Sequence, residues 1–182
     1  MKRKIVIPFL LMSFFYLIAI SSYAQPGPGK DPDAPKGEMC AGGNNSIISN
    51  LSGTNYQWQV NTGNGFENIS DNVYYSGTNT KTLQLIKIPS SWYGYQYRNV
   101  VDGNNSESYP LTFVNNWTGS GGTTAWETAA NWSCGIVPDA NTDVGIFTGA
   151  VVLSSNTSCR SLKVNPGGSL TISSGYRLTT AK

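Results

Sequence analysis

The side chains with types suited to chemistry in this 182-residue chain are three cysteines, five tryptophans and ten acidic residues, and histidine is absent. Without imidazole there is no Ser–His–Asp triad, no Cys–His dyad and no usual zinc set. Cys40 has no base to activate it as a nucleophile, so the expected use of cysteine is the disulfide. Cys134 and Cys159 flank a series of short apolar runs and are the expected pair, and an odd count leaves Cys40 over. Two carboxylate pairs are spaced four apart, Glu67 with Asp71 and Asp139 with Asp143. Facing carboxylates about 5 to 9.5 Å apart hydrolyse glycosides, but pairs set around a turn are expected to brace it instead. EF-hand spacing is missing. No metal, cofactor or catalytic residue is assigned, and an enzyme is not expected.

Trp117, Trp126 and Trp132 fall within 16 residues among Gly and Thr. Such rings can stack on sugars, which makes them candidate ligand contacts. The expected role is packing, as a plug over the open end of the strands that follow. Trp92, next to Tyr93 and beside a turn, is a fourth candidate contact.

The elements that position these residues begin after a segment of a different kind. Met1-Lys2-Arg3-Lys4 precedes the apolar run 5–20, and Ser22 and Ala24 supply a small-x-small site, so 1–24 reads as a secretory signal peptide. With it removed, no further apolar span follows and no membrane span is expected. The expected location is secreted or at the cell surface. Loss of Lys2, Arg3 and Lys4 leaves nine Lys and Arg against ten acidic residues, which removes any case for nucleic acid as a partner. Residues 25–37 carry four prolines and read as an extended linker.

Residues 38–114 show short alternating runs between turn signals, with strands expected over 46–51, 56–60, 65–69, 82–86, 95–101 and 109–114. The last two form a hairpin across Asp102-Gly103-Asn104-Asn105. This spacing points to an all-β sandwich rather than a parallel sheet. The residues Tyr56-Gln57-Trp58-Gln59, Tyr74-Tyr75-Ser76-Gly77, Thr82-Leu83-Gln84-Leu85 and Gly94 to Val101 resemble the immunoglobulin-like domains of large secreted surface proteins of Bacteroidetes-type bacteria. The resemblance implies that Trp58 and Tyr97 are core residues and that Cys40 stands where the first core cysteine does. The second core cysteine is replaced by Asn99, so Cys40 loses its expected partner, and Asn99→Cys is expected to restore the bond and raise stability.

Residues 115–182 change texture. After the tryptophans come apolar runs at 144–147, 151–153, 162–164 and 170–172, with Leu178 beyond them and glycines between. That pattern suggests a Trp-rich cap and the first coils of an incomplete β-solenoid. Trp117-Thr118-Gly119, Asn131 to Pro138 and Leu162 to Ile172 are similar to the stretch that opens solenoid regions in the same surface proteins. The seven Asn-x-Ser/Thr sequons then follow from an Asn-rich composition rather than from glycosylation. A last coil without a cap exposes strand edges that invite another chain, so self-association through an open C-terminal edge is expected. The functional expectation is a non-enzymatic secreted or surface protein for adhesion or structure, with an extracellular protein or glycan as partner. The alternative is a carbohydrate-binding accessory module that uses exposed tryptophans.

Overall fold

The computed structural model describes residues 39–181. The signal peptide and linker expected over 1–37 lie outside the described residues. Among the described residues the protein is all-β, with two short 3-10 turns as its helical features, and no helix is long and apolar enough to cross a membrane. The strands are β1 (Asn44–Ile48), β2 (Tyr56–Asn61), β3 (Phe66–Asn68), β4 (Tyr75–Ser76), β5 (Thr82–Ile86), β6 (Gln96–Val101), β7 (Asn104–Asn105), β8 (Tyr109–Pro110), β9 (Val114–Asn116), β10 (Asp143–Leu153), β11 (Thr157–Cys159), β12 (Ser161–Ile172) and β13 (Leu178–Thr180).

The first eight strands form two antiparallel sheets, β1-β5-β4 and β3-β2-β6-β7, with β8 also on β6. Side chains alternate along a strand, so β5 sends Leu83 and Leu85 inward and Gln84 out. The inward residues meet Trp58 of β2, Tyr97 of β6 and Ile47 of β1 in a single core. Trp58 is fully buried and its Nε1 donates to the Thr80 carbonyl at 2.9 Å. Asn99 lies opposite Trp58 in the β2–β6 ladder and is also fully buried. Its Nδ2 donates to the same Thr80 oxygen at 3.1 Å, and its Oδ1 accepts the Gln57 N–H at 3.1 Å. Asn99 is thus a satisfied core amide joining three segments, and the cost of an unpaired buried amide does not arise.

The β6–β7 turn is tighter than the expected four-residue one. Asn104 and Asn105 already pair with Val101 and Val100, leaving Asp102 and Gly103 at positive φ of 48° and 84° as a two-residue turn. The Asp102 carboxylate also accepts the N–H groups of Thr54 and Asn55, each at 2.9 Å, and these bonds lower its pKa. Asp71 is lowered in the same direction by the hydroxyl and N–H of Thr78, at 2.6 and 2.9 Å. A carboxylate with a depressed folded pKa contributes stability that is complete above its ordinary value of 3.8 and lost as the pH falls through the folded value. Melting temperature is therefore expected to hold down to about pH 4 and then drop on further acidification. Thermal melts of an Asp71→Asn/Asp102→Asn variant should show a shallower acid drop, and an identical drop would refute the assignment.

The second half is built from parallel ladders. β10 pairs with β12 on one side, and on the other with β9 along its first residues and with the 124–126 segment along its last. β11 pairs with β13. The runs expected as separate strands at 144–147 and 151–153 are joined in β10, with a register shift between Ile146 and Thr148. The tight approach at this bend needs glycine, because a Cβ on Gly168 would sit 2.6 Å from the Ile146 carbonyl oxygen. The ladders stack into layers without closing into a complete solenoid. Val144, Ile146, Val151, Leu153 and Cys159 form a second core with Trp117, Trp126 and Trp132.

The disulfide is not the expected Cys134–Cys159 pair. Cys40 is bonded to Cys134, 94 residues away, and Cys159 is a free, buried thiol. The Met39–Phe113 bridge sets Cys40 beside Val114, and the side chain of the next residue, Asn115, accepts the Cys134 N–H at 3.0 Å, so the two cysteines converge. Cys159 instead points into the second core, where burial and then the charge of Asp143 push its thiol up to about 11. With Cys40 engaged and Asn99 serving its own contacts, the expected rescue by Asn99→Cys also falls away.

Candidate functional site

The stretch 87–95 links β5 to β6 and holds the first 3-10 turn, Ser90–Trp92. Pro89 leads into the turn, and the Trp92 and Tyr93 N–H groups donate back to the carbonyls of Pro89 and Ser90 at 3.1 and 3.0 Å. Gly94, at φ 88°, then reverses the chain so that its N–H donates to the Leu111 carbonyl at 2.9 Å and the Tyr95 carbonyl accepts the Leu111 N–H at 2.7 Å. The turn directs Trp92 and Tyr93 to different neighbours.

Trp92 is half-buried and stacks on Tyr95 at 5.5 Å between centroids, with 20° between the planes. Tyr74 and Tyr75 flank it at 5.1 and 5.7 Å. Adjacent tyrosines at a strand start must point to opposite sides. Tyr75 goes inward, its hydroxyl meeting that of Tyr97 at 3.3 Å, and burial raises its pKa. Tyr74 stays 40% exposed and the preceding Val73 is 77% exposed. Asn72 fixes the pair, because its Oδ1 accepts the N–H groups of Tyr74 and Tyr75 at 2.7 and 3.1 Å. Val73, Tyr74, Trp92 and Tyr95 thus form a held aromatic ledge on the surface.

Tyr93 joins the two halves. Its ring carries the Arg160 guanidinium at 4.3 Å, and its hydroxyl donates to Asp143 at 3.4 Å. Asp143 takes Arg160 through both oxygens at 2.6 and 2.7 Å, and also accepts from Ser161. Burial, followed by the Asp143 charge, raises the Tyr93 pKa and keeps the phenol protonated. Ser90 donates to Asp139 at 2.5 Å, and Asp139 also accepts from Asn141 and Thr142. A cavity of about 360 Å³ opens here, lined by Pro89, Ser90, Asp139 and the Cys40–Cys134 disulfide. It offers no free thiol, and the carboxylates around it are engaged in fastening the halves.

The other candidates behave differently. Trp126, Trp132 and Trp117 are 0, 2 and 7% exposed. Their rings pack edge to face at 4.7 and 5.2 Å, and Trp132 Nε1 donates to the Trp126 carbonyl at 2.7 Å. Their faces are covered, so of the four candidate tryptophans Trp92 alone keeps an accessible surface. Asn131, fully buried, organises the loop around them by accepting the Gly121 N–H and donating to Thr123 and Ala125. Sequence reasoning passed over Val73 and Tyr74 as surface residues. The signal was the Asn72-Val73-Tyr74-Tyr75 order, an Asx turn followed by two rings that cannot both face inward. Among the described residues no group of three or more His, Cys, Asp or Glu side chains is placed to hold a metal ion.

Residues 116–182 match a family model described as "Domain of unknown function (DUF8693)". The matched segment starts at the end of β9 and takes in all of β10 to β13 with the three buried tryptophans. No curated protein and no solved structure matches the chain.

Proposed function

We propose that this chain is a non-enzymatic secreted or cell-surface interaction protein. In this reading an immunoglobulin-like sandwich presents the aromatic ledge to an extracellular partner, and the stacked strands behind it are the opening coils of a solenoid that serves as spacer and assembly surface. The carrying observation is the ledge itself, since Tyr74 and Val73 are held outward by Asn72 rather than exposed by disorder. Support for the sandwich comes from two antiparallel sheets over one core with Trp58 and Tyr97 at its centre. Parallel ladders that advance 18 to 21 residues per layer, from Asp143 to Ser161 and from Thr157 to Leu178, support the coils. The secreted location rests on the expected signal peptide and on a disulfide, which persists in oxidising compartments.

A second reading, carbohydrate binding, is favoured by the ring chemistry of Trp92, Tyr74 and Tyr95, because partly exposed aromatic faces stack on sugar rings. One experiment tests both. The labelled protein is applied to an oligosaccharide array and to immobilised extracellular-matrix proteins, alongside Val73→Ser/Tyr74→Ser and Trp92→Ala variants. Binding is expected to fall about ten-fold or more in the variants, as truncating an aromatic anchor costs upwards of about 1.4 kcal/mol, with melting temperature unchanged for Val73→Ser/Tyr74→Ser. A hit on a glycan selects the second reading and a hit on protein the first. Binding that ignores both variants removes the ledge as the site.

A further inference from the structure

The sheet β3-β2-β6 has an outer face as well as the inner one that covers Trp58. Along β6, Tyr97, Asn99 and Val101 are buried, so Gln96, Arg98 and Val100 point outward. The ladder sets Gln59 opposite Arg98 on one side and opposite Asn68 on the other, and Asn61 opposite Gln96 and Phe66. Arg98 is the only charged residue that β2, β3 and β6 send to this face, and apart from Phe66 and Val100 its outward neighbours are uncharged amides. Its side chain reaches from β6 over β2 to β3, with the guanidinium carbon 4.1 Å from the centre of the Phe66 ring. Its Nε donates to Gln59 Oε1 at 2.7 Å, and Gln59 Nε2 in turn donates to Asn68 Oδ1 at 2.8 Å. These contacts use one of the five guanidinium N–H groups. The four on the Nη atoms have no hydrogen-bond or ion-pair partner among the described residues, and they are open to solvent. Arg160, by contrast, has its charge met by Asp143.

We propose that Arg98 anchors a second binding site, on the outer face of this sheet, for the oxyanion of an acidic polysaccharide, either the carboxylate of a uronic acid or a sulfate ester. Both groups present two oxygens that a guanidinium fork takes side by side. Arg98 is already clamped by a ring and an amide, so it gives up little freedom on binding. No acidic side chain on this face competes for it. The surroundings select a sugar over an acidic peptide. Amides both donate and accept, as sugar hydroxyls do, and they flank Arg98 on all three strands. A protein partner is held through well-packed aromatic or apolar anchors, and the one ring on this face lies against the guanidinium. The site goes beyond the proposed function, since it shares no residue with the ledge.

The test titrates the nitrogen-15-labelled full chain in solution and follows the Arg98 Nε–H resonance. Tetragalacturonate and its neutral methyl ester form one arm, sulfated maltotetraose and maltotetraose a second, and tetraglutamate a third. The resonance is expected to shift with one or both acidic sugars and to stay in place with their neutral controls, and the arm that responds identifies the oxyanion. Arg98→Gln should weaken that binding about ten-fold or more, the scale of a hydrogen bond to a charged group, with the melting temperature unchanged. Val73→Ser/Tyr74→Ser should bind the acidic sugar as the parent does, so the ledge and this site fail separately. No shift with either acidic sugar overturns the proposal, and so does undiminished binding by Arg98→Gln. Tetraglutamate bound as tightly as the sugars also overturns it, because the face would then be a site for acidic peptide.

Discussion

Trp58→Ala is expected to destabilise the protein by about 3 to 5 kcal/mol, the range for emptying a fully buried aromatic site. Whole domains are stable by about 5 to 15 kcal/mol, so the first core of the variant should be largely unfolded well below the melting temperature of the parent. The size follows from position. The indole is fully buried between the two sheets, packs 5.9 Å from the Tyr109 ring, and donates to the Thr80 oxygen that Asn99 also uses. Removing it opens a cavity touching both sheets and strips one of the two side-chain donors from the Thr80 carbonyl. Urea denaturation followed by circular dichroism measures the loss. A midpoint indistinguishable from that of the parent would mean that the sheets are held by something other than this ring.

Cys40→Ser/Cys134→Ser should cost about 2 to 5 kcal/mol, since the bond closes a loop approaching 100 residues and restricts the unfolded chain accordingly. Intact mass should show two protons lost on oxidation, and a tryptic map should join the peptides carrying Cys40 and Cys134. A Cys159→Ser variant should keep that map and the effect of reductant on the denaturation midpoint. If removing Cys159 erases the sensitivity to reductant, the pairing described above is wrong.

Much of the first half was legible in its residues. Thr82 to Ile86 alternates cleanly and is a strand with its leucines inward, and Trp58 and Tyr97 lie at the core as the resemblance implied. Asn99 was legible as a core position but not as a satisfied one, because its partners at Thr80 and Gln57 are fixed by how the sheets pack. The disulfide was hidden for the same reason. Their places on either side of the apolar runs favoured Cys159 for Cys134, while the tertiary bridge at Met39 and Phe113 brings in Cys40. In the second half the apolar runs of β10 and β12 were visible, but their joining through Gly149 and Gly167-Gly168 was not, since glycine marks a turn as readily as a bend within a ladder. The ledge depended on which of two neighbouring tyrosines turns outward, and the Asn72 hydrogen bonds and sheet packing settle that.

The Cys40–Cys134 bond has a mechanical consequence for a chain under tension. Tension applied between a point before Cys40 and a point after Cys134 crosses directly through the sulfur bridge. Everything between them, including both antiparallel sheets and the aromatic ledge, hangs as an unloaded loop. The strands in the load path are then the parallel ladders β10 to β13, and the aromatic ledge lies outside that path.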